Sequence, residues 1–237
     1  MSEIILGIET SGEETGLAFV ENQQILYELK QTTGAHHNET IYDFLTQALQ
    51  TLRIEIQNLA GICVSIGPGM FTSLRIGVAL AKGLALPFDI RIVGVNTLDG
   101  LAESAASEDR LVVPLIDARK GEVFSALYKG GKRISDYAIV QPAELILRIG
   151  EPALFLGNGL EKIEGFLQEK LGDRFQRLAE NIRTPHASTI AFLGARRLSK
   201  NEFDRIDDLE PFYFRRTDAE VAKEKKGTIE PPGARSI

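Results

Sequence analysis

Hydrophobic positions along the chain alternate between two periods. Residues 4–10 (IILGIET) form a short apolar run, closed by the turn Ser11-Gly12-Glu13-Glu14. Residues 16–20 (GLAFV) and 24–31 follow, separated by Glu21-Asn22-Gln23. Short β-rich runs bounded by turn residues predict three strands in an antiparallel meander. From Glu39 to Leu52 the period lengthens: Ile41, Tyr42, Phe44, Leu45, Ala48, Leu49 and Leu52 share about half of a helical circumference. Asn38 is the expected N-cap. Residues 60–66 (AGICVSI) predict a buried strand, broken by Gly67-Pro68-Gly69. A helix is expected over 72–86, ended by Pro87, then a strand over 90–95 and a helix over 97–106.

The second half repeats this order. Strands are expected at 111–117, 121–129 and about 134–140, a helix at 142–149 with Pro142 in its first turn, a strand at 153–157 and a helix at 160–170. Phe175–Leu178 reads as a short strand and Ala187–Lys200 as a helix. The pattern is therefore βββαβα twice, an architecture-level repeat in an α/β chain. The polar stretch ASEDR at 106–110 is the expected boundary, giving units 1–106 and 107–237.

The composition is that of a globular chain: among 237 residues, 25% are charged and 43% belong to AVILMFWYC. A net charge of −6 argues against a protein that holds nucleic acid alone, because phosphate binding needs a surplus of Lys and Arg. Cys63 is the one cysteine, which excludes an intrachain disulfide and a Cys-based zinc site. The chain opens on Ile4-Ile5-Leu6 without a basic leader, and no run suggests the roughly 18 apolar residues of a membrane span. A soluble, cytoplasmic protein without membrane contact is expected.

Two strand ends carry candidate chemistry. Gly7-Ile8-Glu9-Thr10 and Leu115-Ile116-Asp117-Ala118 each place a carboxylate at the carboxyl end of a buried strand, where α/β folds bind ligands. In a phosphotransfer fold Glu9 would hold a metal, and the amides and hydroxyls of Thr10, Ser11 and Gly12 would hold phosphate. A polar hairpin turn draws on the same residue types. Gly67-Pro68-Gly69, between a strand and a helix, is a weak phosphate loop, lacking the Lys-Ser/Thr of a P-loop; a tight turn needing glycine geometry explains it as well. At the second turn, Arg119 and Lys120 stand where a phosphate clamp needs small residues. Gly157-Asn158-Gly159 reads either as an adenosine-side loop or as a strand-to-helix turn.

The 72–86 helix is apolar nearly all round, except for a stripe at Arg75 and Lys82. Such a helix is either buried in this chain or covered by another protein. Gly77, Ala81 and Ala85 would let a second helix approach closely. His36 and His37 are adjacent and cannot share a metal site on a helix, and His186 stands alone near a helix start. Cys63 lies in a buried run, where a thiol is inert. In Pro211–Arg216 aromatics stand beside a basic pair. Docking of the segment on the core explains this; the alternative is an anion or RNA contact through Arg215, Arg216, Lys223, Lys225 and Lys226. Asp218, Glu220 and Glu224 dilute that charge, and the last ten residues are expected to be disordered.

Four segments together resemble the bacterial TsaB (YeaZ) family: LGIETSGEETGLAFVENQQI at 6–25, GPGMFTSLRIGVALAKGLA at 67–85, IDARKGEVFSALY at 116–128 and PFYFRRTDAE at 211–220. Met70 and Ser73 depart from the family's usual GPGSFTGLRIG. The resemblance implies an actin-like ASKHA fold of two RNase H-like halves. It implies a role in forming threonylcarbamoyladenosine beside the anticodon of tRNAs that read ANN codons. The paralogue TsaD carries the metal and transfers the group, and a small ATPase, TsaE, joins the pair. By the same resemblance the TsaB subunit is a non-catalytic platform that can also self-dimerise and meets tRNA only through the complex.

By that resemblance the partner surface lies on the 39–52 and 72–86 helices, with Ile41, Phe44, Leu45, Ala48, Leu74, Arg75, Val78, Ala81 and Lys82 as candidate contacts. Ala81→Arg is then expected to break pairing and leave the monomer folded. No cofactor is expected for the chain itself, with ATP and magnesium acting at the level of the complex. The alternative is a small-molecule kinase or ATPase using Glu9, Thr10 and Asp117 around Mg-ATP. A glycoprotease-like metallopeptidase is a third reading, opposed by the missing metal-ligand motif.

Overall fold

A computed structural model describes residues 3–32, 37–179 and 182–212, with the backbone alone for 37–40. The first half runs β1 (Ile5–Glu9), β2 (Glu14–Glu21), β3 (Gln24–Thr32), α1 (His37–Leu52), β4 (Gly61–Gly67), α2 (Phe71–Ala85), β5 (Ile92–Asn96) and α3 (Thr97–Glu103). Its sheet has the order β3-β2-β1-β4-β5. The β1–β2 and β2–β3 pairs are antiparallel; β1–β4 and β4–β5 are parallel.

The second half contains β6 (Leu111–Arg119), β7 (Glu122–Ser125), β8 (Tyr128–Lys129), β9 (Lys132–Arg133), β10 (Ala138–Val140), α4 (Pro142–Leu147), β11 (Ala153–Leu156), α5 (Leu160–Leu171), β12 (Phe175–Arg177) and α6 (Ala187–Leu198). The path β10-β7-β6-β11-β12 repeats the first order strand for strand. The strand expected at 121–129 is broken. β7 pairs with the end of β6 from Leu115 onward, and β8 pairs with Leu111 and Val112 in the same register. The gap falls opposite Val113 and Pro114. Proline has no N–H to give the ladder, and the Pro114 carbonyl accepts the Ser125 hydroxyl at 3.0 Å instead.

The boundary expected near residue 106 separates the two sheets but not the packing. Leu98, Leu101 and Ala102 of α3 pack with Val112, Ile116 and Leu154 of the second half. In return Ile190 and Leu198 of α6 pack with Cys63, Val93 and Val95 of the first. Glycines make the α6 approach close: a Cβ on Gly7 would overlap the Ala187 carbonyl, and one on Gly194 would overlap the Cys63 sulfur. Each half therefore lends its last described helix to the other's sheet.

α1 and the inner face of α2 cover the first sheet, burying Ile41, Phe44, Leu45, Ala48, Val78, Ala81 and Ala85 around Leu17 and Phe19. The stretch Phe71–Phe88 is long and apolar enough, by length and composition, to cross a membrane, contrary to the expectation from sequence. One of its faces is committed to this core. His36 and the segment 213–237, which holds the basic residues of the tail, lie outside the described residues, as do the side chains of His37 and Asn38.

Candidate functional site

The carboxyl ends of β1, β4, β6 and β11 converge on one cleft of about 510 Å³ between the halves. β4 ends at Gly67 with φ +114°, and β11 is followed by Gly157 with φ +98°. Only glycine adopts such angles without strain, so both strand-to-helix turns need one. Ser11, Pro68 and Gly69 line one wall and Asp117 the other. The sequence-selected loops therefore do meet. Glu9 and Thr10 lie beneath them, fully buried.

The first loop is closed upon itself. Ser11 donates its N–H to Glu9 Oε1 at 2.6 Å, and its hydroxyl bonds the same oxygen. The Ser11 carbonyl accepts the Met70 N–H at 2.7 Å. Thr10 donates its hydroxyl to the Ser73 carbonyl at 2.8 Å. A Cβ on Gly69 would overlap the Ser11 backbone, and one on Gly77 would overlap the Thr10 hydroxyl. The Thr10 hydroxyl and the Ser11 amide and hydroxyl, which would cradle phosphate, are thus bonded within the protein. Burial pushes the Glu9 carboxyl above its ordinary range against the opposing Ser11 and Ser65 hydrogen bonds. Its Oε2 has no hydrogen-bond partner, as suits an acid kept protonated.

The second loop is filled by charge. Lys162 Nζ lies 2.5 Å from Asp117 Oδ2, and the Arg119 N–H donates to Oδ1 at 2.9 Å. Asn158 Oδ1 accepts the Asp117 N–H at 3.0 Å, which ties β6 to the start of α5. Burial pushes the Asp117 carboxyl up. The hydrogen bonds from Lys162 and the Arg119 amide, with both cations, outweigh it and hold the group below its ordinary range. Arg119, Lys120 and Gly121 all have positive φ, so bulky side chains crown the turn. A magnesium nucleotide does not fit these residues. One carboxyl is sealed and favours its proton, the other is already paired with lysine, and the Ser11 amide and hydroxyl are spent on Glu9. Among the described residues no group of three or more His, Cys, Asp or Glu could hold a metal.

The partner-binding candidates divide. Ile41, Phe44, Leu45, Ala48, Leu74, Val78 and Ala81 are all buried within this chain. They are core residues, because the apolar stripe of α1 and the inner face of α2 are needed to cover the first sheet. Arg75 lies on the outside with its guanidinium 3.9 Å from the Phe71 ring centre, and Lys82 reaches the Asp207 carbonyl at 3.4 Å. The outward stripe of α2 is Thr72, Arg75, Ala79, Gly83 and Leu86, flanked by half-buried Ile76 and Leu80. Leu86 is 67% exposed, and a methyl placed on Gly83 would meet open space.

Sequence reasoning missed Lys162 and Arg183, which also line the cleft with Phe212 of the segment expected to dock on the core. Lys162 carried one signal. A lysine in the first turn of a helix opposes the helix dipole and so points to a carboxylate nearby. Arg183 carried none, whereas Phe212 docks as its segment was expected to, its N–H donating to the Ile66 carbonyl at 2.7 Å. His186 occupies the N-cap of α6 but makes no side-chain capping bond there.

Two sheets of matching order, with helices exchanged across a cleft at their carboxyl ends, define an actin-like ASKHA protein. YeaZ from Pseudomonas aeruginosa has this fold, with a TM-score of 0.76 at 22% identity, over 90% of this chain and all of that one. The activator of the 2-hydroxyisocaproyl-CoA dehydratase from Clostridium difficile, solved with ADPNP, follows it more distantly, with a TM-score of 0.50, 10% identity and coverage of 85% of this chain and 99% of its own. A family model described as TsaD, tRNA N6-adenosine threonylcarbamoyltransferase, matches residues 29–223. The tRNA threonylcarbamoyladenosine biosynthesis protein TsaB of Bacillus subtilis (strain 168) is 29% identical over 92% of this chain and 96% of its own length. The tRNA N6-adenosine threonylcarbamoyltransferase of Tropheryma whipplei (strain Twist) is 38% identical over 45% of this chain and 30% of its own length. The chain belongs to the TsaB/YeaZ family.

Proposed function

We propose that this chain is a non-catalytic, cytoplasmic subunit of tRNA threonylcarbamoyladenosine biosynthesis. It supports a TsaD-like transferase, with a TsaE-like ATPase joining the pair and tRNA met only through the complex. One observation carries the non-catalytic reading: the first loop spends the Ser11 amide and hydroxyl on Glu9 and the Thr10 hydroxyl on the Ser73 carbonyl, while its Ser11 carbonyl accepts the Met70 N–H. Groups bonded in this way are not free to hold a nucleotide for transfer. ATP and magnesium then act at the level of the complex.

The same reading assigns the partner surface to the outer stripe of α2. Ala79 and Gly83 are one helical turn apart, and such small residues let a second helix approach closely. The flanking Ile76, Leu80 and Leu86 supply apolar area, with Arg75 at the rim. These contacts are proposed in place of the seven buried residues selected from sequence.

The test is mass spectrometry of nucleosides from bulk tRNA after depletion of this protein. Threonylcarbamoyladenosine is expected to fall, to return with the wild-type chain, and to stay low with folded Ala79→Arg. Unchanged levels after verified depletion overturn the pathway assignment. Full rescue by Ala79→Arg overturns the surface. Steady Mg-ATP turnover by the pure chain overturns the non-catalytic assignment.

A further inference from the structure

The segment 182–188 touches both halves of the molecule. On one side its carbonyls are held by the loop after β11: Gly157 N–H donates to Ile182 at 2.9 Å and Asn158 N–H to Arg183 at 3.0 Å. That loop also holds Asp117 on the second wall of the cleft. On the other side the segment is gripped by β2 and β3 of the first sheet. Thr184 donates its hydroxyl to Glu14 Oε2 at 2.6 Å, and Lys30, 3.0 Å from Glu14, reaches the Thr184 carbonyl at 3.4 Å. Glu28 accepts the Ser188 N–H at 2.9 Å and its hydroxyl at 3.0 Å.

The Ser188 N–H belongs to the first turn of α6, whose own N-cap residue contributes no capping side chain. Glu28 therefore does in trans what an N-cap does in cis, placing an anion against free N–H groups and the positive helix end. Glycine leaves no slack around this grip. A Cβ on Gly12 would overlap Thr184, and one on Gly16 would press on Ala187 at 3.4 Å.

We infer that Glu14, Glu28 and Lys30 form a clasp on residues 184–188 that sets the angle between the two halves, and with it the width of the cleft. A rotation of the halves about this segment loads these bonds, because the other side of the segment is bonded to the second wall. The clasp is a conformational device of this chain and does not depend on what the cleft or α2 binds.

The test reads the angle directly. Spin labels on Gln47→Cys in α1 and Gln168→Cys in α5 report the separation of the halves, and buried Cys63 stays unlabelled. Glu28→Gln, Glu14→Gln and Ser188→Ala are compared on that background, each with hydrogen exchange. A longer or broader distance distribution, with exchange at 184–190 raised at least tenfold and protection of β6 and β11 unchanged, is the expected result. Ser188→Ala removes one hydroxyl bond only, and gives a smaller shift in the same direction even if the carboxylate variants fail to fold. Wild-type distances in folded variants overturn the clasp, as does protection lost evenly across both sheets.

Discussion

The Met70 N–H donates to the Ser11 carbonyl at 2.7 Å, bonding the loop after β1 to the start of α2. Two loops that face ligand in a working phosphotransfer fold are here bonded to each other. Gly69 permits it, since any side chain there would enter the Ser11 backbone. Gly69→Ala is expected to force the loops apart and to cost about 1–3 kcal/mol, the usual range for overpacking. Urea unfolding measures this, and wild-type stability would show that the loops give way freely.

Ala81 and Ala79 lie on opposite faces of α2, the first fully buried and the second exposed. Ala81→Arg, expected from sequence to spare the fold, instead buries an unpaired charge and should cost about 3 kcal/mol or more. Ala79→Arg should leave thermal unfolding within a degree or two of wild type and abolish co-elution with a TsaD-like partner. Equal melting temperatures for the two variants would contradict the assignment of faces.

Glu9 should make stability fall with rising pH. Below the ordinary value of 4.5 its carboxyl is protonated in both states and burial costs nothing extra. Above it the unfolded chain releases the proton while the folded chain keeps it, so stability declines until pH passes the raised folded value. Glu9→Gln keeps the acceptor for Ser11 and cannot ionise. Its stability relative to wild type should improve between pH 5 and pH 8, as read by urea unfolding at each pH. A constant difference would contradict the buried-acid reading.

Cys63 is fully buried, and burial pushes its thiol up to about 12. About one part in ten thousand is then thiolate at pH 8. Ellman's reagent should not react with the native chain over an hour and should react at once in urea. Rapid native labelling would mean that α6 lifts from β4 easily.

Much of this architecture was legible in the chain. The alternation of short apolar runs with helical stripes was enough for the repeated order of elements. Glu9 and Asp117 sit at matching strand ends because the repeat puts them there, and Gly67 has the positive φ that its place before a helix suggested. The all-round apolarity of α2 fits one face buried against the first sheet, while Thr72, Arg75, Ala79, Gly83 and Leu86 are turned outward.

Only the tertiary structure decided which face was which. A helical period places Ala79 and Ala81 relative to each other, but not relative to the sheet that buries one of them. Pro114 broke a strand that alternation alone would continue, since the missing N–H matters only when a partner strand lies opposite. The exchange of α3 and α6 between halves, and the capping of α6 by Glu28 from 160 residues away, depend on surfaces that chain order does not juxtapose. Local pattern determined the elements because backbone hydrogen bonds and side-chain period act over a few residues. The cleft, the core and the clasp came from contacts between distant segments, where shape and charge are matched only after folding.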